Sequence, residues 1–344
     1  MEAITRVEFE AIHPTIVKDL LQHAADRGLS GKSLQRFKET LEYNTLGGKY
    51  NRGMSVPDIG AILIGSPLSP DQRFQASLLG WCIELLQAFF LVTDDMIDGS
   101  ILRRGKPSWY MKDGIGMLAI NDACMLQAGI FILLEKYFRQ DHARYSFLTQ
   151  LFLDASFCTQ MGQSIDTVIG SEYLQNYTME AYRSIIACKT THYTFYLSVA
   201  VSLALCGDPS EENLRTCVDI LRPIGEFFQV QDDFFDCYTP PNVSGKVGTD
   251  IRCRKCSWLI VTALQNSNPD QKKVLQETYG KDDKAAEDAV REIYSQLHLE
   301  ERYMRFVTEQ KNIIRRKISE LDERTGLKKD IFESIFARIE NRTM

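Results

Sequence analysis

What this chain lacks narrows it first. The longest unbroken apolar stretch, around Leu85 to Thr93, is far shorter than the roughly 20 residues a membrane-spanning helix needs, and it ends in carboxylates. The opening residues, MEAITRVEFEAIHP, carry acids early and no apolar run. They match neither a secretory signal nor an Arg-rich transit peptide. The expectation is a soluble, cytoplasmic protein with no membrane span. Nine cysteines are scattered without a framework; that odd count fits reduced thiols better than a disulfide scaffold. Cys253 and Cys256 form a lone CxxC with no second pair and no nearby histidine, which argues against zinc. A net charge of −6 gives no sign of a nucleic-acid binder. No low-complexity tract or Gly/Ser linker divides the chain, and no series of short alternating strands is visible.

What is present is helical patterning and enough apolar residues, 44%, for a sizeable core. Ser69-Pro70-Asp71-Gln72 reads as a helix start, with a Ser cap, Pro at the first position and Gln three residues after the cap. The spacing predicts a helix from there to about Asp98. Further helices are expected over 116–137, 142–168, 176–206, 210–236, 253–266, 283–296, 299–322 and 328–341. Pro223 should kink or restart the 210–236 stretch, and Pro240-Pro241 should stop it. The reading is one helical domain over 1–344.

Two segments echo each other. Gln87 to Asp98 (QAFFLVTDDMID) and Glu226 to Asp236 (EFFQVQDDFFD) are each an apolar helix ending in DDxxD. Residues four apart share a helix face, so Asp94 and Asp98 point the same way, with Asp95 beside them. Asp232 and Asp236 repeat this, with Asp233. Like charges at that spacing, at the helix end where the macrodipole disfavours anions, call for a cation. Oxygen-only ligands suggest Mg²⁺, which usually keeps coordination positions for water and phosphate. Asp166, three residues after Gln163, is a further candidate ligand. One DDxxD alone would read as a solvated helix end; two copies closing apolar helices are harder to dismiss.

Basic segments alternate with these acids: Gly47-Gly48-Lys49-Tyr50-Asn51-Arg52-Gly53, Arg103-Arg104-Gly105-Lys106, and Gly245-Lys246-Val247-Gly248 followed by Arg252, Arg254 and Lys255. Arg grips phosphate in a bidentate fork and Lys acts as a point charge. Gly-rich turns let backbone N–H groups approach an anion. Each segment alone is weak, and the first lacks the spacing of a P-loop. Together they suggest a metal–diphosphate site and a second, metal-free phosphate site.

At this point the sequence resembles the isoprenyl diphosphate synthases, most closely the eukaryotic farnesyl diphosphate synthases. The resemblance is carried by LEYNTLGGKYNRG (41–53), GWCIELLQAFFLVTDDMIDGSILRRGKPSWY (80–110), INDA (120–123), CKTTHYTFYL (188–197), GEFFQVQDDFFD (225–236) and GKVGTDIRCRKCSW (245–258), in family order. It implies an all-α isoprenoid synthase (prenyltransferase) fold, a large helical bundle around a central cavity, and a homodimer. It implies that Asp94, Asp98 and Asp232 hold Mg²⁺, three ions per site, supported by Asp95, Asp166, Asp233 and Asp236. Arg103, Lys189, Lys246 and Lys255 would grip a dimethylallyl or geranyl diphosphate. Lys49, Arg52, Gln87 and Arg104 would bind isopentenyl diphosphate, with Arg342 in the tail assisting. Lys189, Thr190, Tyr193 and Gln229 would line the region where positive charge develops. Phe89 and Phe90, one helical turn before the first cluster, would floor the cavity and mark a fifteen-carbon product.

Some positions depart from the family pattern. Cys253-Arg254 stands where an Asp-Asn pair is expected, exchanging an acid near the allylic diphosphate for a cation. Cys188 and His192 replace aromatic residues, and His192 reads as a packed core group. The tail after Ala337 is less basic than usual. These departures keep open a second reading, a terpene synthase derived from the same family. A non-catalytic partner subunit ranks below both, because both DDxxD motifs are complete.

Overall fold

The computed structural model describes residues 4–240 and 248–340. Its helices are α1 (Arg6–Glu10), α2 (His13–Asp26), α3 (Gly31–Thr45), α4 (Asn51–Ile64), α5 (Pro70–Asp98), α6 (Ala119–Phe138), α7 (His142–Ser171), α8 (Met179–Ile185), α9 (Leu197–Cys206) and α10 (Glu211–Tyr238). They continue with α11 (Trp258–Asn266), α12 (Pro269–Thr278), α13 (Lys284–Gln296), α14 (Leu299–Ser319) and α15 (Lys329–Glu340). A π-helix, Ile186–Tyr196, joins α8 to α9. Among the described residues the strands are one two-residue antiparallel pair, β1 (Leu102–Arg103) and β2 (Lys106–Pro107). The chain forms two compact units. One comprises residues up to 156, 195–215 and 322–331; the other comprises 157–194, 216–321 and the residues from 332 on.

The first unit is built around α5. Its start is the one expected: Ser69 accepts from Gln72 N in a capping box, with Pro70 at the first turn. Gly99, left-handed at φ 65°, ends it. Nearly every side chain from Ala76 to Val92 is buried, as a helix apolar all round should be. Helix α4 crosses α5 backbone to backbone. A Cβ on Gly80 would lie 2.3 Å from the Gly53 carbonyl oxygen, so only glycine allows the approach. Trp81 of α5 gathers the N-terminal segments. Its indole N–H donates to Phe9 O (2.9 Å), its ring stacks on Phe9 at 4.8 Å, and Tyr50 and His13 pack at 5.3 and 4.7 Å. Burying one such ring contributes about 1.5–3 kcal/mol. Tyr50 is the N-cap of α4, so this nest also places Lys49 just before the helix and Arg52 in its first turn.

Helix α5 and the stretch Gly116–Phe138 are both long and apolar enough to cross a membrane by length and composition. In α5, 78% of the apolar window is buried within the protein; in the second it is 44%.

His13 is 6% exposed, and its Nε2 lies 2.8 Å from Thr45 Oγ1. Burial pushes its pKa down to about 4, with Glu10 opposing. An unfolded His titrates near 6.5. Between those values the unfolded state takes up a proton and the folded state does not, so stability is full above about pH 6.5 and falls as pH drops towards 4. Urea unfolding at pH 7 and 4.5 should show the protein losing about 2 kcal/mol more than His13→Gln over that interval. Equal losses would refute this account of His13.

The second unit packs the π-helix, α8, α10 from residue 216 on, and α11 to α14. Its core includes Trp258, Tyr279, Tyr294 and Val230. The helix expected over 176–206 is instead α8, the π-helix and α9. The cause is tertiary: Gly162 of α7 and Gly225 of α10 each admit the π-helix closely. A Cβ on Gly162 would lie 2.4 Å from Lys189 N, and one on Gly225 2.0 Å from Thr191 Oγ1. Helix α10 passes through Pro223 without restarting. The lost N–H bond is offset by Leu221, Ile224 and Phe227, all fully buried. The helix expected from 253 begins only at Trp258, because Arg254 is left-handed at φ 55°. Helices α1 to α4 and α12 were not anticipated. The cap of α12, Asn268-Pro269-Asp270-Gln271, is a capping box like that at Ser69 and was legible.

Candidate active site

Each unit carries one carboxylate cluster at the end of an apolar helix. In the first, the middle acid is interior. The Asp95 side chain is 3% exposed and that of Asp94 28%. Arg103 Nε donates to Asp95 at 3.0 and 3.2 Å, and its guanidinium lies 3.9 Å from Asp94. Burial raises the Asp95 pKa against the pull of Arg103. Asp94 and Asp98 remain partly exposed on one face. Part of the expected counter-charge is therefore the protein's own Arg103. It is held on a loop anchored by Trp109, whose Nε1 donates to buried Asp122 (2.9 Å). Arg36 of α3 grips the same Asp122 in a fork.

The phosphate-binding candidates gather where α4 meets α5. Arg104 Nη1 donates to Leu46 O (3.1 Å). Its guanidinium lies so close to Gly48 that a Cβ there would stand 3.0 Å from Nη2. Arg52 opens α4 half-buried, and Lys49 is exposed. Glu84, which the sequence reading passed over, is buried within α5 and accepts from Gly53 N (2.9 Å). Burial raises its pKa, opposed by that N–H and by the charges of Arg52 and Arg104. One turn on, Gln87 Oε1 is buried with no hydrogen-bond partner, leaving capacity for a ligand.

In the second unit, Asp166 of α7 joins two lysines. Its Oδ2 accepts from Lys189 Nζ at 2.7 Å and Lys255 Nζ at 3.2 Å. Burial opposes its ionisation, but the two ammonium groups together hold the carboxyl below its usual range. Beside it a chain of bonds fixes the charge-lining candidates. Thr190 Oγ1 donates to Gln229 Oε1 (2.7 Å), and Gln229 Nε2 to Asp233 Oδ1 (2.9 Å). Asp233 Oδ2 accepts from Tyr182 and from Trp258 N, both at 2.7 Å. These bonds fix Asp233 and, through it, orient Gln229. Asp232 is half-exposed, as Asp94 is. Asp236 is buried and accepts from Asp250 N (3.0 Å). At the end of α10 the Arg291 guanidinium meets the Cys237 carbonyl, a cation at the negative pole of the helix. Nothing near α10 in sequence announces Arg291. Tyr193 is half-buried within the π-helix. Lys246 and Arg342 lie outside the described residues.

Among the described residues no three Asp, Glu, His or Cys converge as a ready metal cage. The donors present are carboxylate oxygens four residues apart, which suit Mg²⁺ that shares its coordination with phosphate. The lone CxxC is different: burial pushes the Cys256 thiol up to about 12, so it stays protonated.

The family model for polyprenyl synthetase matches residues 34–297. The chain belongs to the polyprenyl synthetase family. It is similar to the farnesyl pyrophosphate synthase of Schizosaccharomyces pombe, 40% identical over 98% of both chains. The corresponding enzyme of Penicillium aethiopicum is 44% identical over 97% of both. Among solved structures it is similar to the T. brucei farnesyl diphosphate synthase complexed with risedronate, with a TM-score of 0.89 and 27% identity over 98% of this chain and 99% of that one. The all-α isoprenoid synthase fold of the family is thus the fold of this chain.

Proposed function

We propose that this chain is a farnesyl diphosphate synthase, condensing isopentenyl diphosphate head-to-tail with dimethylallyl and then geranyl diphosphate. The observation that carries this is full-length similarity to synthases combined with an intact Lys49, Arg52, Gln87 and Arg104 set. A terpene synthase, which uses no isopentenyl diphosphate, has no need of that set. Asp94, Asp98 and Asp232 are the acids available to hold Mg²⁺, with Asp166 beside the lysines. Bound there, Mg²⁺ would draw charge onto the departing diphosphate. Lys189 and Lys255, which meet at Asp166, would take up the diphosphate's negative charge, with Arg103 beside the first cluster. As the allylic C–O bond ionises, the Thr190, Gln229 and Tyr193 dipoles stabilise the cation without trapping it. The second substrate's double bond attacks that carbon, and the released diphosphate takes the proton. No protein group need act as general base. Geranyl diphosphate incubated with the protein and Mg²⁺, with and without isopentenyl diphosphate, tests this. Farnesyl diphosphate formed only in the complete mixture supports the synthase; a volatile terpene from geranyl diphosphate alone refutes it.

The chain is proposed to act in the cytoplasm as a homodimer. Leu153, Phe157 and Met161 follow one face of α7 at 48%, 67% and 43% exposure, and Met117, Leu118 and Ile120 are exposed at the start of α6. Patches of that kind mark protein contacts. Sedimentation should give twice the chain mass, and a monomer at micromolar concentration would contradict the dimer.

A further inference from the structure

Arg254 is the cation of the Cys253-Arg254 pair that stands where Asp-Asn was expected, and the structure takes its guanidinium to a specific partner. Nη2 donates to Glu172 O at 3.0 Å, just past the C-terminus of α7, where a positive charge is favoured. Its backbone is left-handed at φ 55°, which costs an ordinary residue roughly 1–2 kcal/mol. The surroundings hold it there. Tyr177 OH donates to Arg254 O (2.8 Å), and Tyr279 OH to Lys255 O (2.6 Å). The two tyrosine rings meet edge to face at 6.4 Å. Gly280, at φ +88°, leaves the space that the Arg254 stem fills: a Cβ there would lie 2.8 Å from Arg254 Cβ. Gly280 N also donates to Ile251 O (2.9 Å). The loop is thus fastened at α7 and at the end of α12.

We propose that Arg254 is a positioning residue for the diphosphate-binding lysines: it ties the loop that carries Lys255 to the end of the helix that carries Asp166. The two side chains meet at 3.2 Å, and each is fixed at its root by this tie. A lysine on a loose loop would lose orientation that its flexible stem cannot restore. Arg254 therefore acts on the allylic diphosphate through Lys255 and not by contact. This rests on the reading of Lys189 and Lys255 as diphosphate ligands.

The test uses the full chain and the variants Arg254→Asn, Arg254→Lys and Tyr279→Phe. Asn accepts the left-handed backbone, so the guanidinium is removed without imposing new strain. Binding of inorganic pyrophosphate with Mg²⁺ is measured by calorimetry, alongside KM for geranyl and for isopentenyl diphosphate. Arg254→Asn should weaken pyrophosphate and raise the geranyl diphosphate KM by about tenfold, with the isopentenyl KM within about twofold. Arg254→Lys should recover most of the loss. Tyr279→Phe should repeat the pattern at about threefold, although it removes no charge. Pyrophosphate affinity unchanged in Tyr279→Phe, or both substrates weakened equally by Arg254→Asn, would overturn the inference. A protein that bound pyrophosphate but did not condense would refute the proposed function, and the pyrophosphate affinities would still decide this inference. Failure of the unaltered protein to bind pyrophosphate would overturn the reading of the lysines and this inference with it.

Discussion

Asp94→Asn is expected to lower kcat by about 10³-fold with little change in Tm, while Asp95→Asn does the reverse. Both residues belong to one motif, yet the structure gives them different surroundings. Asp94 is partly exposed on the face it shares with Asp98, and Asp95 is interior with Arg103 across its carboxylate. On the proposed function Asp94 would hold Mg²⁺ at the diphosphate, so removing its charge removes transition-state stabilisation, and 10³-fold corresponds to about 4 kcal/mol. Neutralising Asp95 instead takes the charged partner from Arg103, whose side chain is 32% exposed, at a cost of about 1–3 kcal/mol of stability. Kinetics and thermal unfolding of both variants check the division. Equal losses of activity and stability in the two would contradict it.

Phe90→Ala is expected to move the main product beyond fifteen carbons, whereas Phe89→Ala chiefly destabilises. Phe90 lies one turn, about 5.4 Å, before Asp94 and is half-buried. Phe89 is only 8% exposed, and the two rings are 5.1 Å apart, tilted by 49°. The partly open ring is the one that can limit a growing chain. The buried one is packed core, whose truncation costs about 3–5 kcal/mol. Chromatography of the dephosphorylated products decides the first point and denaturant unfolding the second. If Phe90→Ala still stopped at farnesyl diphosphate, the floor lies elsewhere.

Helix α5 was legible because its signals are local: a capping box at Ser69, unbroken apolarity, then acids at a spacing of four. The same holds for the second DDxxD. The π-helix was not legible, since its cause is the missing side chains of Gly162 and Gly225, remote in sequence from Lys189 and Thr191. Glu84 looked like one polar residue in an apolar helix, and its meaning comes from the Gly53 N–H of α4. Arg291 and the Tyr177–Tyr279 clamp are likewise tertiary contacts that no periodicity records. Arg254 was read by its charge alone as part of the diphosphate site, but its left-handed backbone and the carbonyl at Glu172 place the guanidinium at the end of α7. Pro223 was expected to act through its missing N–H, yet the burial of its neighbours carried the helix through.

The most direct measurement of the central claim is mass spectrometry of the product formed from dimethylallyl diphosphate and deuterium-labelled isopentenyl diphosphate with Mg²⁺. Farnesyl diphosphate carrying two labelled isoprene units, with one pyrophosphate released per bond formed, is the predicted result. An unlabelled terpene hydrocarbon or alcohol, or no incorporation of label, would contradict it.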